Sequence, residues 1–174
     1  MTKALNGKTV IVTGAGKGIG RATCLMLSGL GANVVAISRT ASDLESLKSE
    51  TGCKTHTFDI ANSAELRNVV RGMTSADGLV NCAGINILEP FLEVTEEAFD
   101  LIYAINTKAA MVAAQEFSRT LIAANRGGAI VNVSSMSSFV GFTDHTSYCA
   151  SKGAMDAMSR VMANELGPYG IRVN

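Results

Sequence analysis

The chain has 174 residues, 47% of them hydrophobic and 17% charged, with fifteen acidic side chains balancing fifteen basic ones. That mixture excludes a disordered polyelectrolyte and leaves no net field to attract nucleic acid or an anionic membrane. The length suits one domain (1–174) with a sizeable core, no apolar run reaches membrane-spanning length, and the opening MTKALNGKTVIVTGAG lacks a leader's apolar stretch and cleavage site, so a cytoplasmic protein is expected.

The first expected element is a strand over KTVIVT (8–13), followed by a helix over 18–30 that Gly31 should stop. A second strand is expected over NVVAIS (33–38) and a helix over 41–50, opened by Thr40 with Asp43 three residues later. CKTHTF (53–58) predicts the third strand, and Asn62 with Glu65 marks the start of a helix over 63–73. DGLVN (77–81) predicts the fourth strand, before one long helical stretch over 96–125. AIVNVS (129–134) predicts the fifth, a helix follows over 147–166, and GPYGIRVN begins a sixth strand. Several strands are apolar on both faces, as in a parallel sheet covered by helices. The alternation predicts a doubly wound, Rossmann-like αβα fold whose ligands bind at the carboxyl ends of the strands. Cys24, Cys53, Cys82 and Cys149 are far apart and without a C-x-x-C, so neither a disulfide nor a metal site is expected. Met155, Met158 and Met162 read as core or a subunit contact.

Between the first strand and first helix lies TGAGKGIG (13–20). Ile19 occupies the last position of the G-x-G-x-x-G fingerprint, and the spacing is instead T-G-x-x-x-G-x-G on Thr13, Gly14, Gly18 and Gly20. Glycines let the turn approach a pyrophosphate, which the unpaired N–H groups of the helix N-terminus then bind. The second strand ends in Ser38 and Arg39, with no carboxylate for ribose hydroxyls. A small residue and a guanidinium fork suit a 2′-phosphate, and Lys17 supplies a second cation, so NADP(H) is favoured over NAD. Arg39 as a solvated surface charge is the competing reading. Asp59 suits either the adenine amino group or a cap for the next helix.

In SYCASKG (147–153), Tyr148 and Lys152 stand one helical turn apart and can point into the same space. A cation at about 4 Å with an effective dielectric of about 20 favours a phenolate by about 4 kcal/mol. Asn106 is a poor helix former inside the apolar FDLIYAINTKAAMVAA, either a functional amide or one satisfying a backbone carbonyl. A hydrolase triad of Ser135, His145 and Asp144 is disfavoured, because adjacent loop residues diverge and no G-x-S-x-G exists.

TGAGKGIG, NCAG (81–84), Asn106, Ser135 and YCASK (148–152) resemble, in order and spacing, the short-chain dehydrogenase/reductase family, from residue 8 to 174. Cys82 departs from that family's N-N-A-G, and a small cysteine fits the slot. VTGAGKGIGR, VVAISRT, PFLEVTEEAFD, IVNVSS and ELGPYGIRVN resemble its dicarbonyl/L-xylulose reductases and related tetrameric carbonyl reductases. The resemblance implies an NADPH-dependent reductase of α-dicarbonyls and ketoses, with Tyr148 as general acid. Lys152 would tune Tyr148 and bind the nicotinamide ribose, Ser135 would hold the substrate oxygen, in preference to Ser134, and Asn106 would complete a proton relay. The implied cofactor contacts are Gly14, Gly16, Lys17, Gly18, Ile19 and Gly20 in the loop, and Ser38, Arg39 and Asp59 at the adenosine end. Asn81, Ala83 and Gly84 complete them, with Tyr148 and Lys152. His145 would join Ser135 and Tyr148 at the substrate. A reductase of 3-oxoacyl thioesters or steroids, and a dinucleotide-binding protein without turnover, are the alternatives. Members of the family continue beyond IRVN and associate through the helices near 96–125 and 147–166. A homotetrameric parent is therefore expected, with this chain a shortened form that is poorly stable alone.

Overall fold

A computed structural model describes residues 4–174; the first three residues of the leaderless N-terminus expected above lie outside the described residues. Six parallel strands form one sheet: β1 (Thr9–Thr13), β2 (Asn33–Ser38), β3 (Lys54–Thr57), β4 (Gly78–Asn81), β5 (Gly128–Asn132) and β6 (Ile171–Val173). Their spatial order is β3-β2-β1-β4-β5-β6, so the winding reverses between β1 and β4. That reversal opens a crevice at the strand carboxyl ends, where such folds bind ligands. The expected fold class is the observed one.

The helices are α1 (Gly18–Gly29), α2 (Ala41–Thr51), α3 (Ser63–Arg71), α4 (Glu96–Tyr103), α5 (Ala109–Ala123) and α6 (Thr146–Leu166). On one sheet face, Ile11, Ile37, Leu79 and Ile130 pack against Leu66, Val70, Phe117 and Leu121 of α3 and α5. On the other, Val10, Val12, Val34 and Ala36 meet Cys24, Leu44 and Leu47 of α1 and α2. Double coverage explains why these strands read as apolar runs without alternation. Met155 is buried, and Met162 packs against the first of these clusters. All four cysteines are free, and no group of potential metal ligands occurs among the described residues. No helix among them is long and apolar enough to cross a membrane.

Two local expectations are corrected. The stretch 96–125 is helical as expected, from Glu96 to Ala123, but not α-helical throughout: a wider π turn, Ala104–Lys108, joins α4 to α5. It contains Asn106, and such turns insert an extra residue that redirects side chains. The Thr40 side chain makes no capping bond to α2. Its intended partner, Asp43, instead turns its carboxylate to Lys17 Nζ at 3.5 Å. The Asn62 cap does form, accepting from Glu65 N–H at 3.2 Å and donating from Nδ2 to Glu65 Oε2 at 3.2 Å. Gly31 follows the end of α1 with φ +92°, as expected, and Gly52 (φ +69°) closes α2 with its N–H on the Lys48 carbonyl.

Candidate active site

The crevice is built from the segments that leave β1, β2, β3, β4 and β5. One part, about 280 Å³, runs past Gly14, Lys17, Ser38, Arg39, Asp59 and Ala83. A second, about 440 Å³, shares Gly14, Lys17, Ala83 and Gly84 and continues over Gly18, Ile19 and Gly20 to Tyr148 and Lys152. A larger hollow of about 750 Å³ lies at the opposite ends of the strands, around Thr9, Asn33 and Cys53, away from all of these side chains.

Gly14 has φ +68°, and a Cβ there would meet Ala83 Cα at 2.7 Å. A Cβ on Gly16 would meet Ser38 Oγ at 2.8 Å and Asp43 Cβ at 3.1 Å. The glycines thus press the loop between the ends of β2 and β4, leaving the N-terminus of α1 open towards the crevice. Thr13 anchors it from beneath: its Oγ1 accepts from the N–H groups of Cys82 and Ala83 at 3.1 and 3.2 Å. Arg39 is exposed and makes no ion pair among the described residues, whereas Lys17 has Asp43. Asp59 borders the crevice and accepts from Ala61 N–H at 2.9 Å, so it shapes the turn, while Asn62 caps α3.

Asn81, expected at the cofactor, turns its side-chain amide into the protein. It stands in register with Thr13 and Asn132, and its amide donates inward to Asn132 Oδ1 at 2.9 Å and the Ala110 carbonyl at 3.3 Å. Asn132 passes the chain on to Ser159 Oγ at 2.8 Å. At the end of a buried central strand, the Asn81 amide N–H groups find acceptors on the adjacent strand and helix, while its buried Oδ1 has no hydrogen-bond partner among the described residues.

Around the motif on α6, Lys152 is buried and donates from Nζ to the Val133 carbonyl at 2.7 Å, 5.8 Å from the Tyr148 ring centroid. Burial pushes its ammonium below the ordinary lysine range, with Cys82 and Asp156 opposing. Asn106 is fully buried, its Oδ1 accepting from Ile85 N–H at 2.8 Å and its Nδ2 donating to the Ile85 carbonyl at 2.9 Å. A Cβ on Gly84 would lie 3.4 Å from Asn106 Oδ1 and 3.8 Å from Lys152 Nζ, so Gly84 separates the two by a narrow gap.

The two serines divide. Ser135 Oγ accepts from Ser137 N–H at 3.1 Å and caps a short 3-10 turn, Met136–Ser138. Ser134 borders the crevice, its buried Oγ without a hydrogen-bond partner. His145 donates from Nδ1 to the Thr143 carbonyl at 2.6 Å and sets its ring edge-on to Tyr148, centroids 6.3 Å apart. The sequence reading missed Thr13 as the loop's anchor, Asn132 and Ser151 as buried polar links, and Asp43 as Lys17's partner. Only Thr13 carried a signal, as the first letter of the glycine-loop pattern.

The chain is similar to known proteins over its whole length. The profile of the short chain dehydrogenase family matches residues 8–174. L-xylulose reductase of Mesocricetus auratus is 47% identical over 175 residues, which cover 100% of this chain and 72% of the relative. Carbonyl reductase [NADPH] 2 of Sus scrofa is 40% identical, with 100% of this chain and 72% of that protein covered. Among solved structures, a metagenomic short-chain oxidoreductase in complex with NADP superposes with TM-score 0.92 at 30% identity, covering 98% of this chain and 81% of that one. The chain thus spans about 72% of the length of these curated relatives. With sheet order, glycine loop and family match in agreement, this chain belongs to the short-chain dehydrogenases, a family of oxidoreductases.

Proposed function

We propose that the protein reduces small carbonyl compounds, α-dicarbonyls and ketoses of the xylulose type, using NADPH in a single dinucleotide-binding domain. The observation that carries this reading is the continuous crevice from Arg39 through the glycine loop to Tyr148 and Lys152. Its residues fit a phosphorylated dinucleotide. Gly14 and Gly16 leave backbone where any Cβ would clash, and Arg39 stands free for a 2′-phosphate where a carboxylate would repel one. The relatives named for L-xylulose and for NADPH, and the neighbour holding NADP, support the same choice.

When bound, NADPH supplies the hydride. Tyr148 gives its hydroxyl proton to the substrate oxygen, in step with charge developing there. Lys152, fixed by the Val133 carbonyl, keeps a positive charge beside the phenol. Ser135, whose Oγ accepts from the Ser137 amide, keeps its hydroxyl proton to donate to the carbonyl oxygen, and the ring of His145 forms the pocket wall. Asn106 braces the loop at Ile85 and, through water beside Gly84, lets Lys152 communicate with solvent. The same reading makes the protein a cytoplasmic homotetramer, to be checked by light scattering.

The test is NADPH consumption with diacetyl, L-xylulose and an acetoacetyl thioester. Turnover of either of the first two is expected; turnover of the thioester alone would transfer the protein to the fatty-acyl branch of the chemistry. Tyr148→Phe should keep NADPH affinity within about twofold and lower turnover by at least about a hundredfold, the usual worth of a general acid. An active Phe variant would remove Tyr148 from the mechanism.

A further inference from the structure

Ser151 lies inside the same motif as Tyr148 and Lys152, and its side chain is fully buried. It borders no part of the crevice, yet three polar contacts converge on it. Asn106 Nδ2 donates to its Oγ at 3.0 Å, its hydroxyl donates to the Tyr148 carbonyl at 2.8 Å, and its own carbonyl accepts from Thr107 Oγ1 at 3.0 Å. The proton directions are forced. The Ile85 N–H must meet an oxygen and the Ile85 carbonyl must meet an N–H, so Asn106 has one orientation only. Its remaining amide proton then points at Ser151, which must accept it and send its own proton to the Tyr148 carbonyl. The links close a path from the loop after β4, through the π turn, to the helical turn that carries Tyr148.

We propose that Ser151 is a positioning residue: it locks the amide of Asn106 and ties that lock to the backbone of Tyr148. The proposal rests on the catalytic reading above for its effect on rate, and on geometry alone for its effect on Asn106. Alanine at 151 leaves one buried amide proton without an acceptor and cuts the side-chain link from Asn106 to the Tyr148 backbone, while the bond from Thr107 Oγ1 to the main-chain carbonyl at 151 remains. The Ile85 carbonyl is already engaged by the other amide proton, and Asn106 reaches the Tyr148 carbonyl only through the Ser151 hydroxyl.

The experiment is Ser151→Ala in the protein carrying this chain, compared with Asn106→Ala and with the double variant. Two readouts are needed: steady-state kinetics, and the side-chain amide signal of Asn106 in a ¹⁵N NMR spectrum. Ser151→Ala should lower kcat about tenfold, the rate equivalent of one lost hydrogen bond, with KM for NADPH unchanged. It should also move the Asn106 amide resonance and speed its proton exchange. In the Asn106→Ala background the same substitution should change kcat by less than about twofold, as expected when two residues act through one contact. An unmoved Asn106 amide signal in Ser151→Ala overturns the proposal, as does an undiminished tenfold loss in the Asn106→Ala background. If the wild-type protein reduces no carbonyl compound, the catalytic reading falls, and the amide signal alone decides the role of Ser151.

Discussion

At the scale of single residues, the molecule handles buried charge in two ways. Lys152 is an isolated ammonium held by one carbonyl, and burial lowers its pKa. Glu116 on α5 is equally buried but receives Arg67 at 2.9 Å, Arg119 at 2.8 Å and Arg71 at 3.1 Å. Burial alone would raise its carboxyl; hydrogen bonds from Arg67 and Arg71, with the charges of Arg71 and Arg119, outweigh it and hold the group below its ordinary range. The sign of the linkage follows: a depressed carboxyl contributes stability that is full above its unfolded value, near 4.5, and is lost as pH falls through the folded one. Glu116→Gln should therefore flatten the fall in melting temperature below pH 4.5, compared by thermal melts from pH 3 to 7. An identical acid limb in the two proteins would show that the three arginines do not hold the carboxyl down.

Between elements, the two anticipated helix starts make a controlled pair. Asn62 and Glu65 exchange bonds in both directions at the start of α3, while Thr40 leaves α2 uncapped by its side chain. Asn62→Ala should cost about 1 kcal/mol in urea denaturation and Thr40→Ala only a few tenths. Equal losses would mean that the Thr40 hydroxyl caps after all. The physical difference is Asp43: drawn to Lys17 and the glycine loop, it gives α2 an electrostatic start and helps seat the loop. Arg21 reinforces that arrangement from α1, donating to the Asp43 carbonyl at 3.1 Å and pairing with Glu50. The two helices beside the proposed adenosine site are thus stitched together by charge.

For the molecule as a whole, the open crevice makes stability depend on ligand. A dinucleotide that binds only the folded chain raises the melting temperature in proportion to the logarithm of its concentration. Arg39 lies where a 2′-phosphate is expected, so Arg39→Ala should lose about tenfold or more in NADPH affinity, the worth of a charge-assisted contact, and almost nothing for NADH. Isothermal titration with both cofactors gives the comparison; equal losses would make Arg39 a surface charge.

Much of this protein is written locally. Apolar runs in β1, β2 and β5, the glycine spacing of 13–20 and the i,i+4 pair on α6 depend on neighbours within a few residues, so periodicity and turn chemistry disclose them. Sequence alone also singled out Asn106, because an amide is out of keeping with an apolar helix. What it lacked were partners far along the chain. Asn81 turns away from the crevice because Asn132, on a neighbouring strand, offers an acceptor. Asp43 abandons the helix cap for Lys17, and Ser151 gains meaning only when the π turn brings Asn106 against it. A side chain's type is fixed by the sequence, but which of several possible hydrogen bonds it makes is decided by which partners the fold brings within reach of each buried polar group, and only the packed tertiary structure fixes that.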